Sequence, residues 1–332
     1  MKSGEIEMKR ICILLFLLII SCNLFGQERI TWKKDGSEMV LIPAGSFNMG
    51  DHFNEAEPRS LPVHKVTLDQ FYIDTNEVTV SQFKAFVSES GYVPELIGYL
   101  KQLETLSFLT NDFDKFWHYV SIFSPHDNYP IIGVTWNDAK NYASWVGKRL
   151  PTEAEFEYTA RGGIEGTRYP WGNDLSPDYA NYSGVSGKDI WQKCSPIGSF
   201  EENRYGVNDI SGNVWEWCED WYSESYYSVS PQSNPSGPSL GSFKVIRGGS
   251  WLYDQDFLRV DRRCYGPSLL NSNNQLVNFT QINNHIKYDF VRIGFRCVID
   301  TPKKDKFSAI PVDTVNIIAE ETTIPANSAS VT

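Results

Sequence analysis

A single run, Tyr205–Trp217, constrains the fold of this 332-residue chain more than any other stretch. It contains an Asn-Asp pair and a Gly-Asn pair, and it ends with Trp215 and Trp217 on either side of Glu216. Asn, Asp and Gly tolerate left-handed backbone and therefore favour tight turns. Alternation along an extended segment would place both indoles on one face and the carboxylate on the other. The run predicts a tight turn that leads into a buried strand.

The same run carries oxygen ligands of the type that calcium prefers. Asp209 and Glu216 supply carboxylates, and the turn can direct backbone carbonyls inward. The residues alone leave two interpretations open, a calcium site or a turn that only packs a strand.

Further motifs occur on both sides of this run and combine glycines, tryptophans and short polar turns. They are Pro130–Ala139, Gly147–Tyr158, Arg161–Gly163, Tyr169–Asn173, Arg247–Trp251 and Gly294–Cys297. Taken in this order, the set resembles the sulfatase-modifying factor family, whose founding member is the formylglycine-generating enzyme. The resemblance extends from Met39 to Asp300.

The resemblance implies a mixed α+β, C-type lectin-like fold with low regular secondary structure and many ordered loops. With 41% hydrophobic and 14% aromatic residues, the chain can bury the core of one large domain, which we expect over residues 27–300. The chain has a formal net charge of −11, and its basic residues do not form a stripe, so we expect no nucleic-acid partner.

The first 26 residues have the pattern of an export signal. Two basic residues precede the apolar run Ile11–Ile20, which is too short to span a membrane. Ile19–Cys22 resembles a bacterial lipobox in which Cys22 becomes the lipidated first residue, and a cut after Gly26 is the alternative. We therefore expect an exported protein, either secreted, periplasmic or in the outer membrane, with membrane contact only through a lipid anchor.

Four cysteines follow this leader, namely Cys194, Cys218, Cys264 and Cys297. In an oxidising compartment they are expected to form structural disulfides, and all three connectivities stay open. The five histidines are scattered and no Cys-x-x-Cys pair is present, so the sequence does not indicate a zinc site.

Alternating apolar residues predict two short strands over Glu38–Gly50 and one over His64–Tyr72. Capping signals and helical spacing predict helices over residues 79–91, 136–147 and 152–162. Charged residues beside the third helix are expected to brace the loops rather than carry chemistry. They are Arg149, Glu153, Glu155 and Glu157.

Two stretches depart from the compact family pattern. Tyr92–Asp127 is rich in aromatic residues and is predicted to be a lid or a partner surface, or else a surface loop without function. The same alternatives apply to the Asn-rich stretch Asn271–His285. Residues 301–332 are polar and without periodicity, which predicts a disordered tail.

The sequence departs from the family pattern at the two cysteines that the resemblance implies for formylglycine generation. The resemblance implies an enzyme that oxidises a cysteine of a sulfatase peptide with two active-site cysteines and copper(I), which favours thiolate ligands. At the two matching positions this chain has Tyr253 and Leu258, and Cys264 lies farther along. We therefore expect no catalytic residues of this type and no bound copper.

The calcium positions that the resemblance implies are retained, so calcium is the expected cofactor. The first set consists of the Asp209 and Glu216 side chains and the Gly212 and Val214 carbonyls. The second set consists of the Asn181 and Asp189 side chains and the Tyr182 and Trp191 carbonyls.

Two hypotheses for function follow. The first is a non-catalytic module of the bacterial envelope, a pseudoenzyme that binds a protein or peptide partner, as in lipoproteins of gliding motility or secretion. The alternative is an enzyme that oxidises a protein cysteine or performs a different reaction in the same cleft. The candidate cleft residues are Ser250, Trp251, Tyr253, Asp254 and Arg259.

Overall fold

The computed structural model describes residues 27–55, 58–100, 111–267 and 292–301. The chain divides into a main unit, Met1–Thr301, and a second segment, Pro302–Thr332. The leader, the Asn271–His285 stretch and the second segment, for which a disordered tail is predicted, lie outside the described residues. Within the described ranges, no helix is both long and apolar enough to cross a membrane.

The first sheet contains both ends of the described domain. Its strands are β1 (Arg29–Thr31), β2 (Glu38–Ile42), β5 (Phe71–Asp74) and β10 (Val298–Asp300). They pair antiparallel in the order β1-β2-β5-β10. The central strand β2 buries Met39, Val40 and Ile42, as a continuous apolar run covered on both faces should.

Two further sheets complete the β structure of the described chain. Strand β3 (Gly45–Met49) pairs antiparallel with β4 (His64–Leu68). The third sheet has the order β8-β7-β6-β9. Its strands are β6 (Trp215–Trp221), β7 (Phe243–Arg247), β8 (Cys264–Pro267) and β9 (Ile293–Gly294). Strand β9 runs parallel to β6, and the other pairs are antiparallel.

The two strands predicted over Glu38–Gly50 are confirmed as β2 and β3, although they join different sheets. The single strand predicted over His64–Tyr72 is wrong, because the chain forms β4 and β5 there, also in different sheets. The break falls at Asp69, whose backbone N–H donates to the Asn234 side chain at 2.9 Å rather than to a neighbouring strand. This side-chain contact ends the ladder of β4 and lets the chain change sheets.

The three predicted helices are confirmed. They are α1 (Val80–Ser90), α4 (Trp136–Val146) and α5 (Glu153–Arg161). Each begins with a capping box, in which a threonine hydroxyl accepts from the N3 amide and the N3 side chain accepts from the cap amide. Each ends at a glycine in the left-handed conformation.

The aromatic stretch Tyr92–Asp127 contains two helices, α2 (Leu96–Leu100) and α3 (Asp112–Ser121). Phe116 of α3 is fully buried, and Phe113 and Trp117 pack half-buried against the same core. The alternative of a surface loop is therefore wrong for α3, because this helix completes the hydrophobic core. A lid or partner surface elsewhere in the stretch stays a prediction.

Buried ion pairs hold α5 against β7 and the loop before β8. Glu153 accepts from Arg247 at 3.0 Å and from Arg263 at 2.7 Å. Glu157 accepts from Arg161 at 2.7 Å and from Arg247 at 2.8 Å. Burial raises the pKa of Glu157, but the two arginines outweigh it and lower the pKa to about 2.

Arg149 binds Glu155 through both of its terminal nitrogens, at 2.7 Å each. Such a bidentate pair fixes orientation as well as charge. Together with the α5 pairs, it confirms that these residues brace the scaffold.

The expectation of disulfides is wrong, because none of these four described cysteines is joined to another by a disulfide bond. Cys194 and Cys297 pack in one hydrophobic cluster and Cys218 in another, each surrounded by apolar side chains. Burial raises the pKa of Cys194 to about 12, so this thiol stays protonated. Cys264 is half-buried in β8.

Candidate functional site

The run Tyr205–Trp217 forms a tight turn that leads into β6. Asp209 and Asn213 have φ values of 52° and 55°, the left-handed conformation that such residues tolerate. Both indoles of the run are buried, and the Trp217 indole N–H donates to the Val134 carbonyl at 3.0 Å. The turn and the buried strand are as the sequence predicts.

Glu216, between the two indoles, forms a bidentate pair with Arg296. The Arg296 Nε and Nη2 groups each donate to a different Glu216 oxygen at 2.7 Å. Both side chains are fully buried. A cation held by the first predicted calcium set would therefore have to share the Glu216 carboxylate with Arg296, and this set fits calcium less well than its ligand types indicate.

Two more buried acids lie beside this pair. Burial raises the pKa of Asp209 to about 6, although the Gly198 amide and Arg296 lower it. Burial and the charge of Asp209 raise the pKa of Glu77 well above its usual value. If Glu77, Asp209 and Glu216 were all ionised, three negative charges would lie near the single positive charge of Arg296. This excess of negative charge requires bound protons or a cation.

Glu77 is a buried acid that sequence reasoning missed. Its Oε1 accepts from Asn213 at 3.1 Å, and its Oε2 has no hydrogen-bond partner among the described residues. No local pattern marks Glu77, because the groups that surround it come from distant parts of the chain.

The second predicted calcium set comes together as a compact loop. The Tyr182 and Trp191 amides donate to the two Asp189 carboxylate oxygens at 3.0 and 3.3 Å. Asn181 donates through Nδ2 to the Lys193 carbonyl at 2.7 Å, and its buried Oδ1 has no partner in the part of the chain that the structure describes.

Asp189 is buried, with no ion-pair partner among the described residues, and burial raises its pKa to about 6. Within the described residues, Asn181 has an unused amide oxygen and Asp189 has a carboxylate without a counter-charge, and both kinds of oxygen are ligands that calcium prefers. Asn181 and Asp189 would hold the ion, which would supply the missing positive charge and fix the loop.

No three His, Cys, Asp or Glu side chains of the described residues are grouped so as to hold a metal by themselves. Each predicted set has two side-chain ligands and otherwise uses backbone carbonyls. The sets therefore differ in kind from a site made of several charged side chains.

The structure brings four of the five predicted cleft residues together on one loop after β7. Ser250 is fully buried, and neither its Oγ nor the Trp251 Nε1 has a hydrogen-bond partner within the described ranges. Asp254 caps a short 3-10 helix, Gln255–Leu258, by accepting from the Asp256 amide at 3.1 Å.

Arg259 is not part of this group. Its guanidinium donates to Asp51 and Asp261 at 2.8 Å and to Glu55 at 2.7 Å. Because Arg259 forms ion pairs with these three carboxylates, it stabilises a different loop.

Aromatic rings line the loop Ser250–Tyr253, which we call the cleft loop, and we refer to Phe123, Trp251, Tyr253 and Phe257 as the ring cluster. Phe123 stacks on Trp251 with ring centroids 6.2 Å apart, and Tyr253 lies 4.7 Å from Phe257. The Arg292 guanidinium stands 5.8 Å from the Trp251 ring and 5.6 Å from the Tyr253 ring. All four rings are half-buried, so the cluster is partly open to solvent.

Packed side chains stand at the two positions where the family resemblance implies catalytic cysteines. Leu258 is fully buried. Tyr253 packs edge-on against Trp215 at 5.5 Å. Neither residue has a sulfur atom that could coordinate copper(I).

Comparison with known proteins identifies the family of the chain. The model of the "Sulfatase-modifying factor enzyme 1-like domain" matches residues 27–301, and the chain belongs to this family. The predicted mixed α+β fold with few helices is confirmed by the architecture. It is also shared with the solved structure of PvdO from Pseudomonas aeruginosa, at 26% identity and a TM-score of 0.60 over 82% of this chain and 98% of that one.

Curated relatives include proteins with different names. The chain is 38% identical over 250 residues to the formylglycine-generating enzyme of Streptomyces coelicolor, covering 64% of this chain and 78% of that protein. It is 32% identical over 247 residues to the inactive C-alpha-formylglycine-generating enzyme 2 of Bos taurus, covering 66% of this chain and 77% of that protein.

Proposed function

We propose that this chain is an exported, calcium-binding member of the family that binds a protein or peptide partner and does not generate formylglycine. The observation that carries the proposal is the presence of Tyr253 and Leu258 at the two positions implied for catalytic cysteines. Copper(I) requires soft ligands, and a phenol and an alkyl side chain supply none.

The remaining thiols do not compensate for this loss. Cys194, Cys218 and Cys297 are buried in the core, and burial raises the pKa of each. Cys264 is a half-buried thiol on β8, and one thiol does not make a two-sulfur site. The relative named as inactive supports the view that this fold serves without the oxidase activity.

The cleft loop favours binding of a polypeptide. The ring cluster and Arg292 combine half-buried aromatic side chains with a guanidinium, and Tyr, Trp and Arg are the residues most enriched where protein interfaces are strongest. The relatives that share this fold do not all have the same function. The proposal of polypeptide binding therefore rests on the residues of the cleft loop and not on the fold.

The decisive experiment is incubation with copper(I) and a peptide that contains Cys-x-Pro-x-Arg. We expect no aldehyde by mass spectrometry, while the Streptomyces coelicolor relative serves as positive control. Appearance of the aldehyde with loss of the peptide thiol would overturn the proposal. Cys264→Ser would then show whether the half-buried thiol is responsible.

Calcium is proposed first at the Asn181 and Asp189 set. Among the described residues, the Asn181 Oδ1 has no hydrogen-bond partner and the Asp189 carboxylate has no counter-charge, and both observations support a cation there. At the first set, Arg296 already neutralises Glu216, so calcium at that position is the weaker half of the proposal.

Export is proposed from the leader, which lies outside the described residues. We expect wild-type protein made in a bacterial host to fractionate with membranes through a lipid on Cys22, and Cys22→Ser to release it. A mature amino terminus at Gln27 in the wild type would contradict lipidation but not export.

A further inference from the structure

Asn213 lies between the loop of the second calcium set, Asn181–Trp191, and the cleft loop, Ser250–Tyr253. Its backbone N–H donates to the Asn181 carbonyl at 2.8 Å, and its own carbonyl accepts from the Trp251 N–H at 2.9 Å. One residue thus connects the two loops through their main chains. Asn181 supplies a predicted calcium ligand, and Trp251 belongs to the ring cluster.

The side chain of Asn213 fixes the residue in place. Oδ1 accepts from the Ser195 amide at 3.0 Å, and Nδ2 donates to Glu77 Oε1 at 3.1 Å. The residue is almost completely buried and has a left-handed backbone. Satisfied buried polar groups of this kind are rigid, because breaking any of the hydrogen bonds leaves a polar atom unpaired.

A second contact joins the same loops directly. The Ser183 N–H donates to the Tyr253 carbonyl at 3.0 Å, and the Tyr253 N–H donates to the Ser250 carbonyl at 2.9 Å. The approach is close, since a methyl group added at Gly212 would lie 2.6 Å from the Asn181 carbonyl oxygen. A displacement of the Asn181–Trp191 loop at Asn181 or Ser183 would strain these contacts with the cleft loop.

We propose that Asn213 is a positioning residue that couples order in the Asn181–Trp191 loop to the placement of Trp251 and Tyr253. Calcium held by Asn181 and Asp189 would then set the shape of the partner-binding ring cluster. The calcium step rests on the proposed function, whereas the coupling rests on contacts within the chain.

The coupling is tested without metal by hydrogen exchange and mass spectrometry on Asp189→Ala. This change removes the acceptor of the Tyr182 and Trp191 amides and should speed exchange about tenfold in the loop and again in residues 250–258. The matched control is Asp178→Ala, which frees the Lys188 amide of the same loop but lies outside the route through Asn213. We expect the control to speed exchange only near Lys188.

Unchanged exchange in residues 250–258, with the Asp189→Ala loop clearly loosened and α4 still protected, would overturn the coupling. The double variant Asp189→Ala/Asn213→Gly tests the route. Glycine accepts the left-handed backbone, yet it lacks the anchors to Ser195 and Glu77. Because the direct contact between Ser183 and Tyr253 remains in this background, we expect Asp189→Ala to have a smaller, but not abolished, effect at residues 250–258. An undiminished effect would exclude the side-chain anchoring of Asn213 as part of the connection.

Calcium is then added to the wild type. Slower hydrogen exchange in both loops after calcium is added would support both the calcium site and the coupling. No effect on either loop contradicts the calcium part of the proposed function, and the metal-free comparison of Asp189→Ala with Asp178→Ala still decides the coupling.

Discussion

Asp189 differs from three buried glutamates of this protein in how its charge is balanced. Glu153, Glu157 and Glu216 are each paired with arginine. Among the described residues, Asp189 accepts from two backbone amides and from no cation. Burial raises its pKa to about 6, although those amides lower it. An unpaired buried carboxylate costs stability when it is charged.

Replacing Asp189 by Asn should therefore change how stability depends on pH in the absence of metal. Because the folded-state pKa is raised, the protonated form favours folding below the ordinary value of 3.8, and this contribution is lost as the pH rises through about 6. The melting temperature of Asp189→Asn, minus that of the wild type, should increase between about pH 5 and about pH 7.5 in chelator. A difference that stays constant over this range would show that Asp189 is solvated or already neutralised.

Helix α3 is an element whose role follows from packing and not from its own sequence. Phe116 is fully buried, whereas Phe113 on the same helix is only half-buried. The Phe116 side chain fills volume in the hydrophobic core.

Phe116→Ala should reduce the free energy of unfolding by about 3–5 kcal/mol, because it leaves a cavity in a packed core. Phe113→Ala is the matched control, and we expect about half that loss. Denaturant titrations of both variants provide the comparison. Equal losses would mean that α3 packs on the body of the protein less tightly than the structure describes.

The sequence predicts elements well where the determining residues are neighbours. The capping boxes that begin at Thr79 and Thr152 lie within four residues of chain, and the predicted helices are confirmed. The sheet partners of β4 and β5 were not predictable, because the break depends on Asn234, a residue 165 positions from Asp69. The pairing of Arg296 with Glu216, 80 positions away, could not be predicted for the same reason.

The features of the candidate site also differ in whether neighbouring residues are enough to predict them. Turn chemistry predicts, from local residue types, the tight turn in which Asp209 and Asn213 adopt left-handed backbone. Glu77 and the connection of Asn213 to Trp251 depend on how distant segments meet, and no local signal reports them.

At the scale of the whole molecule, calcium should stabilise the fold. An ion that binds only the native state adds about 2.7 kcal/mol at a free concentration 100-fold above its dissociation constant. Chelation should lower the melting temperature, and Asp189→Ala should remove most of the response while Asp178→Ala retains it. The same measurement on Asp209→Asn shows how much of the melting-temperature response comes from the first calcium set. An unchanged melting curve in chelator, with no metal by elemental analysis, would contradict calcium binding.

The position of β1 and β10 in the first sheet has a consequence for engineering. Arg29 pairs with Val40 on β2 and Asp300 with Phe71 on β5, so the chain enters and leaves at the same end of this sheet. Three strand spacings of about 4.8 Å separate β1 from β10, or about 14 Å in all. A linker of about five residues would span that gap. The domain should therefore tolerate circular permutation, and it should also fold when inserted as a single unit into a surface loop of a host protein.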